Sequence, residues 1–208
     1  MTFARDPATA AYYQRRAAEY DDWYEGTGLH ADRPRPGWSE EVAALVELVR
    51  DLEAARTLDV ACGTGFLTRH LRGLVVGLDQ SRSMIEIAQH RLPDGVAIVG
   101  DSLALPFAAA SFDRVFTGHF YGHLVADERE AFLAEAARVA AEIVVVDSAR
   151  RPGVPAEEYQ ERVLKDGSRH RVFKRYLEAD ELAAELQGEV LLRGTWFVAA
   201  RAALTAAA

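Results

Sequence analysis

Residues 57–68 read Thr57-Leu58-Asp59-Val60-Ala61-Cys62-Gly63-Thr64-Gly65-Phe66-Leu67-Thr68, and the fold follows from how this stretch is interpreted. Its first half is a short apolar run with one acid, the pattern of a buried strand. Its second half turns through Gly63 and Gly65 into a segment expected to be helical. A strand that ends in glycines and feeds a helix N-terminus brings backbone N–H groups close to a ligand with no Cβ in the way. Alone, this predicts a nucleotide-like ligand at a strand-to-helix turn.

Downstream, strands and helices alternate. Leu74–Asp79, Val96–Val99, Phe112–Thr117 and Ile143–Asp147 are short apolar runs expected as strands two to five, after a first strand at 56–61. Ser81–Arg91, with Met84, Ile85 and Ala88 on one face, and Asp127–Ala140 are the expected helices between them. Near-continuous apolar strands alternating with helices predict a parallel sheet covered on both faces. Right-handed crossovers then favour an α/β, doubly wound, Rossmann-like sheet.

Beyond Asp147 the pattern changes. Arg150–Pro155 is a Pro/Gly linker, and the β-prone arms 160–164 and 169–177 flank Lys165-Asp166-Gly167-Ser168, a hairpin signal. Ala179–Gln187 is expected to be a helix closed by Gly188 at C′. Runs 189–192 and 196–201 are joined too tightly for a crossover and must be antiparallel, giving a seven-stranded sheet with an antiparallel last strand. The alanine-rich C-terminus is expected to fray.

Upstream, residues 8–24 place Tyr13, Ala17 and Tyr20 at helical spacing, and 26–37 form a Gly/Pro loop holding Arg33 and Arg35. Ser39 is the expected N-cap of a helix to Ala55 with Val42, Leu45, Val46 and Val49 buried. The chain is expected to be a single domain over 1–208, with an N-terminal lid at 1–37, a binding core at 56–148 and a hairpin insertion at 150–177.

Composition narrows the function. A chain of 208 residues, 50% apolar and 27% charged, has ordinary globular composition and length for one well-buried core. Its formal net charge of -8 argues against nucleic-acid binding through bulk electrostatics. Cys62 is the single cysteine, which rules out an intrachain disulfide and disfavours a thiolate metal site; no metal is expected. The start, Met1–Pro7, lacks the apolar core of a signal peptide, and no run reaches the ~20 apolar residues of a membrane span. These features lead us to expect a cytoplasmic protein with no membrane partner, as a monomer or homodimer.

Two acids then discriminate among ligands. Asp79 ends the second strand, where a carboxylate accepts hydrogen bonds from both ribose hydroxyls. That would equally suit an NAD(P)-dependent oxidoreductase. However, the turn lacks the third glycine of Gly-x-Gly-x-x-Gly, and Asp101 ends the third strand, where a pyridine nucleotide needs no acid.

The ordered series Leu58–Thr68, Val76-Gly77-Leu78-Asp79-Gln80-Ser81, Val99–Phe107 and Ser111–Val115 resembles the motifs of class I S-adenosylmethionine-dependent methyltransferases over roughly residues 56–148. The resemblance implies S-adenosylmethionine as cofactor, S-adenosylhomocysteine as product and a small-molecule acceptor. It implies that Asp59, Gly63 and Gly65 hold the amino-acid end, Asp79 the ribose and Asp101 the adenine amine, with Ser102 and Leu103 beside the ring. Ala61, Cys62, Gln80, Met84 and Thr117 complete the expected contacts, with Tyr13 and Tyr20, beside Tyr12, closing from the lid. Ala61 stands where the family often has glycine. The cofactor's diol, amine and ammonium are all donors, which three strand-end acids complement.

The fourth strand exits through Gly118-His119-Phe120-Tyr121-Gly122-His123, which lacks the Asn/Asp-Pro-Pro-Tyr sequence of amide methyltransferases. His119, Tyr121 and His123 are the candidate bases for an O- or N-nucleophile. Arg162, Lys165, Arg169, His170, Arg171, Lys174 and Arg175 form a basic hairpin in an acidic chain, with Arg169, Arg171, Phe173 and Arg175 expected on one face. Such a cap would attract an anionic acceptor, aided by Arg33 or Arg35. A non-catalytic protein that keeps the cofactor pocket for pairing with a partner is the remaining alternative.

Overall fold

The computed structural model describes residues 6–205. The N-terminal segment comprises α1 (Pro7–Arg16), a 3-10 turn, and α2 (Asp22–Glu25), which stops at left-handed Gly26. Asp6 caps α1 by accepting from the N–H groups of Ala8 and Thr9. α3 (Trp38–Asp51) begins one residue before the expected Ser39, because Gly37, at φ 74, turns the chain into the helix. Its end, too, is earlier than Ala55, which already belongs to β1 (Ala55–Val60).

The alternating core continues with β2 (Gly73–Asp79), α4 (Arg82–Arg91), β3 (Val96–Val99), β4 (Phe112–Gly118), α5 (Ala126–Val139) and β5 (Ala140–Ser148). Ser81 caps α4, its hydroxyl accepting from Met84 N. The hairpin strands β6 (Glu157–Val163) and β7 (Arg169–Arg175) stand apart as a two-stranded sheet. The chain closes with α6 (Ala179–Leu186), β8 (Glu189–Arg193) and β9 (Phe197–Ala203). Sheet order is β3-β2-β1-β4-β5-β9-β8, with β1, β2, β3, β4 and β5 parallel and β9 antiparallel to β5 and β8. The expected seven-stranded Rossmann-like sheet is therefore present.

Strand alternation separates two buried layers. On β5, Ile143 and Val145 join the α5 and α6 side with Phe132 and Leu182, whereas Val144 and Val146 join the α3 side with Trp38, Leu45 and Val49. Both faces of β5 are covered, so its Ile143–Val146 run is apolar throughout. Val42 and Val46 are only partly buried against the second layer.

Two local expectations are corrected. The segment after the glycine turn forms only a 3-10 turn at Thr68–His70 instead of a full helix. The connection from β1 to β2 occupies just residues 61–72, and Phe66, Leu67 and Leu71 are used to bury that loop against α3's layer. At the end of α6 the left-handed residue is Gln187, at φ 58, not Gly188. Gly188 is needed for space, since a Cβ there would lie 2.0 Å from the carbonyl oxygen of Arg201. The last alanines, 206–208, and residues 1–5 lie outside the described residues.

Candidate active site

Strand order reverses between β1 and β4, and the crevice outside their carboxyl ends is where an open α/β sheet binds its ligand. The glycine turn forms its floor. Ala61 has φ 61, so the position where the family often has glycine does require a left-handed backbone here, at a cost of roughly 1–2 kcal/mol. Gly63 follows with φ 55, and its absent side chain leaves the place taken by the Tyr20 ring, 3.3 Å from where a Cβ would stand. Gly65 instead serves packing, with the Ala88 backbone of α4 3.3 Å from its own missing Cβ.

Asp79 links the turn to the end of β2. Its carboxylate accepts from Gly63 N at 3.0 Å and Ser81 N at 2.8 Å, and burial raises its pKa to about 6. Asp59 lies deeper. One carboxyl oxygen accepts from the Thr68 hydroxyl at 2.6 Å, the other is buried with no partner, and desolvation lifts the pKa to about 8. An orphaned carboxylate oxygen beneath a glycine turn calls for a donor from a ligand. Asp101 is half-buried at the end of β3 and accepts from Leu103 N at 2.8 Å.

Among the expected contacts, Tyr13, Tyr20, Ala61, Gly63, Asp79, Gln80 and Ser102 line this crevice, whose enclosed volume is about 40 Å³. Leu78, Gly100, Gly118 and Phe120 also line it. Asp59 and Cys62 open instead onto a small adjoining space shared with Tyr20 and Tyr24. Met84 is buried inside α4's packing, and the Thr117 hydroxyl donates to Val60 O at 2.7 Å, tying β4 to β1. Neither Asp101 nor Leu103 lines the crevice wall.

The N-terminal segment is clamped across this opening. Gln14 accepts from the Ser81 hydroxyl at 3.0 Å, Thr64 donates to Asp21 at 2.5 Å, and Asp21 pairs with Arg91 at 2.6 Å. Gln14 and Asp21 carry no motif, so the sequence held no signal for them.

A second cavity of about 810 Å³ lies between the N-terminal segment and the hairpin, within the size range of small-molecule sites. His119 lines both spaces. Its backbone is left-handed at φ 59, its N–H donates to Val146 O at 2.8 Å, and Trp23, Tyr24 and Phe197 meet its ring. Both ring nitrogens are buried without a hydrogen-bond partner; Nδ1 is 4.0 Å from Asp147. Desolvation depresses its pKa to about 3, so the imidazole is neutral at ordinary pH. A buried, strained and unsatisfied histidine at the junction of two cavities is a functional signature.

The other two candidate bases sit differently. The Tyr121 hydroxyl donates to Glu185 at 2.7 Å, and its side chain lines neither space. His123 lines the larger cavity but holds Nδ1 against Phe173 O at 2.5 Å.

The basic hairpin divides in a way opposite to the expected emphasis. Arg169 pairs with Glu161, Arg175 pairs with Glu185 at 2.8 Å, and Arg171 lies 4.4 Å over the Tyr159 ring. The face toward the core carries Gln160, Arg162, Val172 and Lys174, because burying Val172 carries its i±2 neighbours inward. Lys174 is buried and pairs with buried Asp147, which also accepts from the N–H groups of Gly122 and Ser148 at 2.7 Å. Lys165 instead ties the hairpin turn to Asp22 at 2.6 Å.

Comparison with known proteins identifies this arrangement. Residues 58–142 match the family model described as a methyltransferase domain. By structure, the chain is similar to DhpI in complex with SAH, with TM-score 0.73 and 27% identity over 95% of this chain and 96% of that one. These matches support a class I S-adenosylmethionine-dependent methyltransferase. A demethylmenaquinone methyltransferase of Thermotoga maritima is 38% identical over 49% of this chain and 44% of the relative. The dTDP-3-amino-3,6-dideoxy-alpha-D-glucopyranose N,N-dimethyltransferase of Streptomyces fradiae is 39% identical over 60% of this chain and 51% of the relative. The chain thus spans about half the length of these two relatives. S-adenosylmethionine is the family's cofactor, which sets the dinucleotide alternative aside. Among the described residues, no helix of the chain is long and apolar enough to cross a membrane, and no acid, histidine and cysteine cluster is arranged for a metal.

Proposed function

We propose that this chain methylates an oxygen or nitrogen nucleophile of a small molecule held in the larger cavity. The observation that carries this is the position of His119, on the wall common to the glycine-turn crevice and that cavity. The residues of the crevice fit the cofactor: the orphaned oxygen of Asp59 suits the ammonium, and Asp79 suits the ribose diol. Asp101, Ser102 and Leu103 are assigned to the adenine end, and Tyr13 and Tyr20 to the cover. Bound there, the cofactor supplies an already activated sulfonium. What the protein adds is placement in a water-poor space, an effect that can supply ~7–11 kcal/mol.

The neutral imidazole of His119 can accept a proton or hydrogen bond from the nucleophile. His119→Asn is the informative substitution, because Asn tolerates a left-handed backbone while removing the basic nitrogen. With any acceptor the wild type turns over, kcat is expected to fall about 100-fold, in the range typical of a lost general base. Since burial keeps His119 neutral above about pH 4, the wild-type rate should show no acid limb near pH 6.5. An unchanged kcat in His119→Asn would remove it from the mechanism.

Cofactor binding should depend on pH. The folded pKa values of Asp79 and Asp59, raised to about 6 and about 8, lie above the ordinary 3.8. The stability these groups contribute is full below the unfolded value and is lost as pH rises through the folded ones. Donors from the cofactor favour the carboxylates, so binding releases protons and relieves this loss. S-adenosylhomocysteine affinity is therefore expected to rise from pH 5 to 8, with calorimetric enthalpies that vary with the buffer's ionisation enthalpy. A flat affinity profile with no proton release would contradict the assignment of both acids.

A further inference from the structure

We infer that the acceptor carries an oxyanion head of two or more negative charges, bound by arginines of the N-terminal segment, the Arg151 linker and the inner hairpin face; this rests on the methyl-transfer reading above. Arg16, Arg33, Arg35, Arg151 and Arg162 all line the larger cavity, and none has a carboxylate within ion-pair distance among the described residues. Elsewhere on this acidic chain arginines are routinely paired, as in Arg56–Asp113, Arg91–Asp21 and Arg193–Asp180. The acids on the cavity wall are already engaged. Glu19 and Asp22 hold Lys165, Glu161 pairs with Arg169, and Glu158 accepts from Gln160. Lys174, on the same wall, is neutralised by Asp147.

Aromatic rings hold three of these guanidinium groups in place. Arg35 lies 3.8 Å over Trp38, Arg151 lies 4.5 Å over Trp196, and Arg16 lies 4.8 Å over Tyr20. A ring face orients a guanidinium without consuming its in-plane donors, leaving the fork available for bidentate binding of an oxyanion. Arg35 spends one donor on Trp23 O at 2.9 Å, and Arg162 donates to Gln160 at 3.1 Å and to the Tyr12 side chain, neither of them charged. Set against Glu19 and Glu158, the two lining acids whose partners are uncharged, five unpaired arginines still leave an excess of three positive charges, more than a single negative charge requires. His119 at the crevice end of the same cavity then leaves the nucleophile on the part of the acceptor remote from the charged head.

The test uses the full chain saturated with S-adenosylhomocysteine, titrated at constant ionic strength with inorganic phosphate, malonate or chloride and followed by thermal shift. Saturable stabilisation by phosphate, malonate or both, and none by chloride, is expected. Stabilisation by one anion alone narrows the head to a phosphoryl or a polycarboxylate type. Arg16→Gln and Arg33→Gln should each weaken the effect at least 10-fold, while Arg169→Gln, the same charge change on the outer face, should alter it less than 2-fold. No saturable effect from either anion, or equal weakening by Arg169→Gln, overturns the inference. Cofactor binding is scored separately: an intact S-adenosylhomocysteine shift without anion binding sinks this inference alone. Loss of the cofactor shift sinks the methyl-transfer reading, and the same anion titrations on the cofactor-free chain then decide the oxyanion site.

Discussion

Asp79→Ala is expected to abolish the thermal stabilisation that S-adenosylhomocysteine confers. The assigned ribose diol would make two hydrogen bonds to this carboxylate, each worth about 1.5–3 kcal/mol when one partner is charged. A loss of about 3 kcal/mol weakens affinity roughly 100-fold. At a ligand concentration near 100 times the wild-type Kd, stabilisation then falls from about 2.7 to about 0.4 kcal/mol. For a chain of this size that is a shift of several degrees shrinking to about one. The substitution also frees the N–H groups of Gly63 and Ser81, so the cofactor-free variant will melt lower than wild type. The diagnostic quantity is therefore the difference with and without ligand for each protein. An undiminished shift in Asp79→Ala would falsify the ribose assignment.

Lys174→Met should destabilise the cofactor-free protein by about 3–5 kcal/mol, the cost of leaving one partner of a buried ion pair uncompensated. Asp147 is fully buried and held in its charged form by Lys174 and by two backbone N–H groups; its pKa is depressed despite its desolvation. Met fills the space of the lysine stem without its charge. Asp147 would then be stabilised by protonation, so Lys174→Met should lose most stability at neutral pH and recover part of it as pH is lowered. Chemical denaturation at pH 5 and pH 8 measures this. The double variant Asp147→Asn/Lys174→Met should regain part of the loss, because the pair is costly chiefly when half removed. If Lys174→Met is as stable as wild type at both pH values, the pair does not hold the hairpin to the core.

How much was legible in the sequence can be judged at particular residues. Asp59, Asp79 and Asp101 could be proposed because each lies at or near a strand end, and strand ends in a parallel sheet converge on one edge. In the structure Asp79 lines the crevice, Asp59 opens onto the adjoining space and Asp101 does not line the wall. The helix expected after Gly65 failed because apolar spacing does not register how short residues 61–72 are as a connection. Ser39 and Gly188 were sensible caps by residue type, yet neighbouring backbone angles at Gly37 and Gln187 settled the boundaries. On the hairpin, alternation separated the charges correctly into two faces but could not say which face looks inward. Val172 decides that by being buried.

Sequence by itself determined the sheet, its switch point and the acid-lined glycine turn, since these depend on periodicity and on residues at fixed local spacing. Only the tertiary structure decided the rest of the site. Arg16, Arg35, Arg151 and Arg162 are far apart in the chain and share one cavity because the N-terminal segment and the hairpin both fold over the same edge of the sheet. His119 was a candidate among three; its left-handed backbone and unsatisfied ring, set by packing against Trp23, Tyr24 and Phe197, single it out. Desolvation and unpaired charge are properties of what surrounds a group in space, and no local pattern in the chain encodes them.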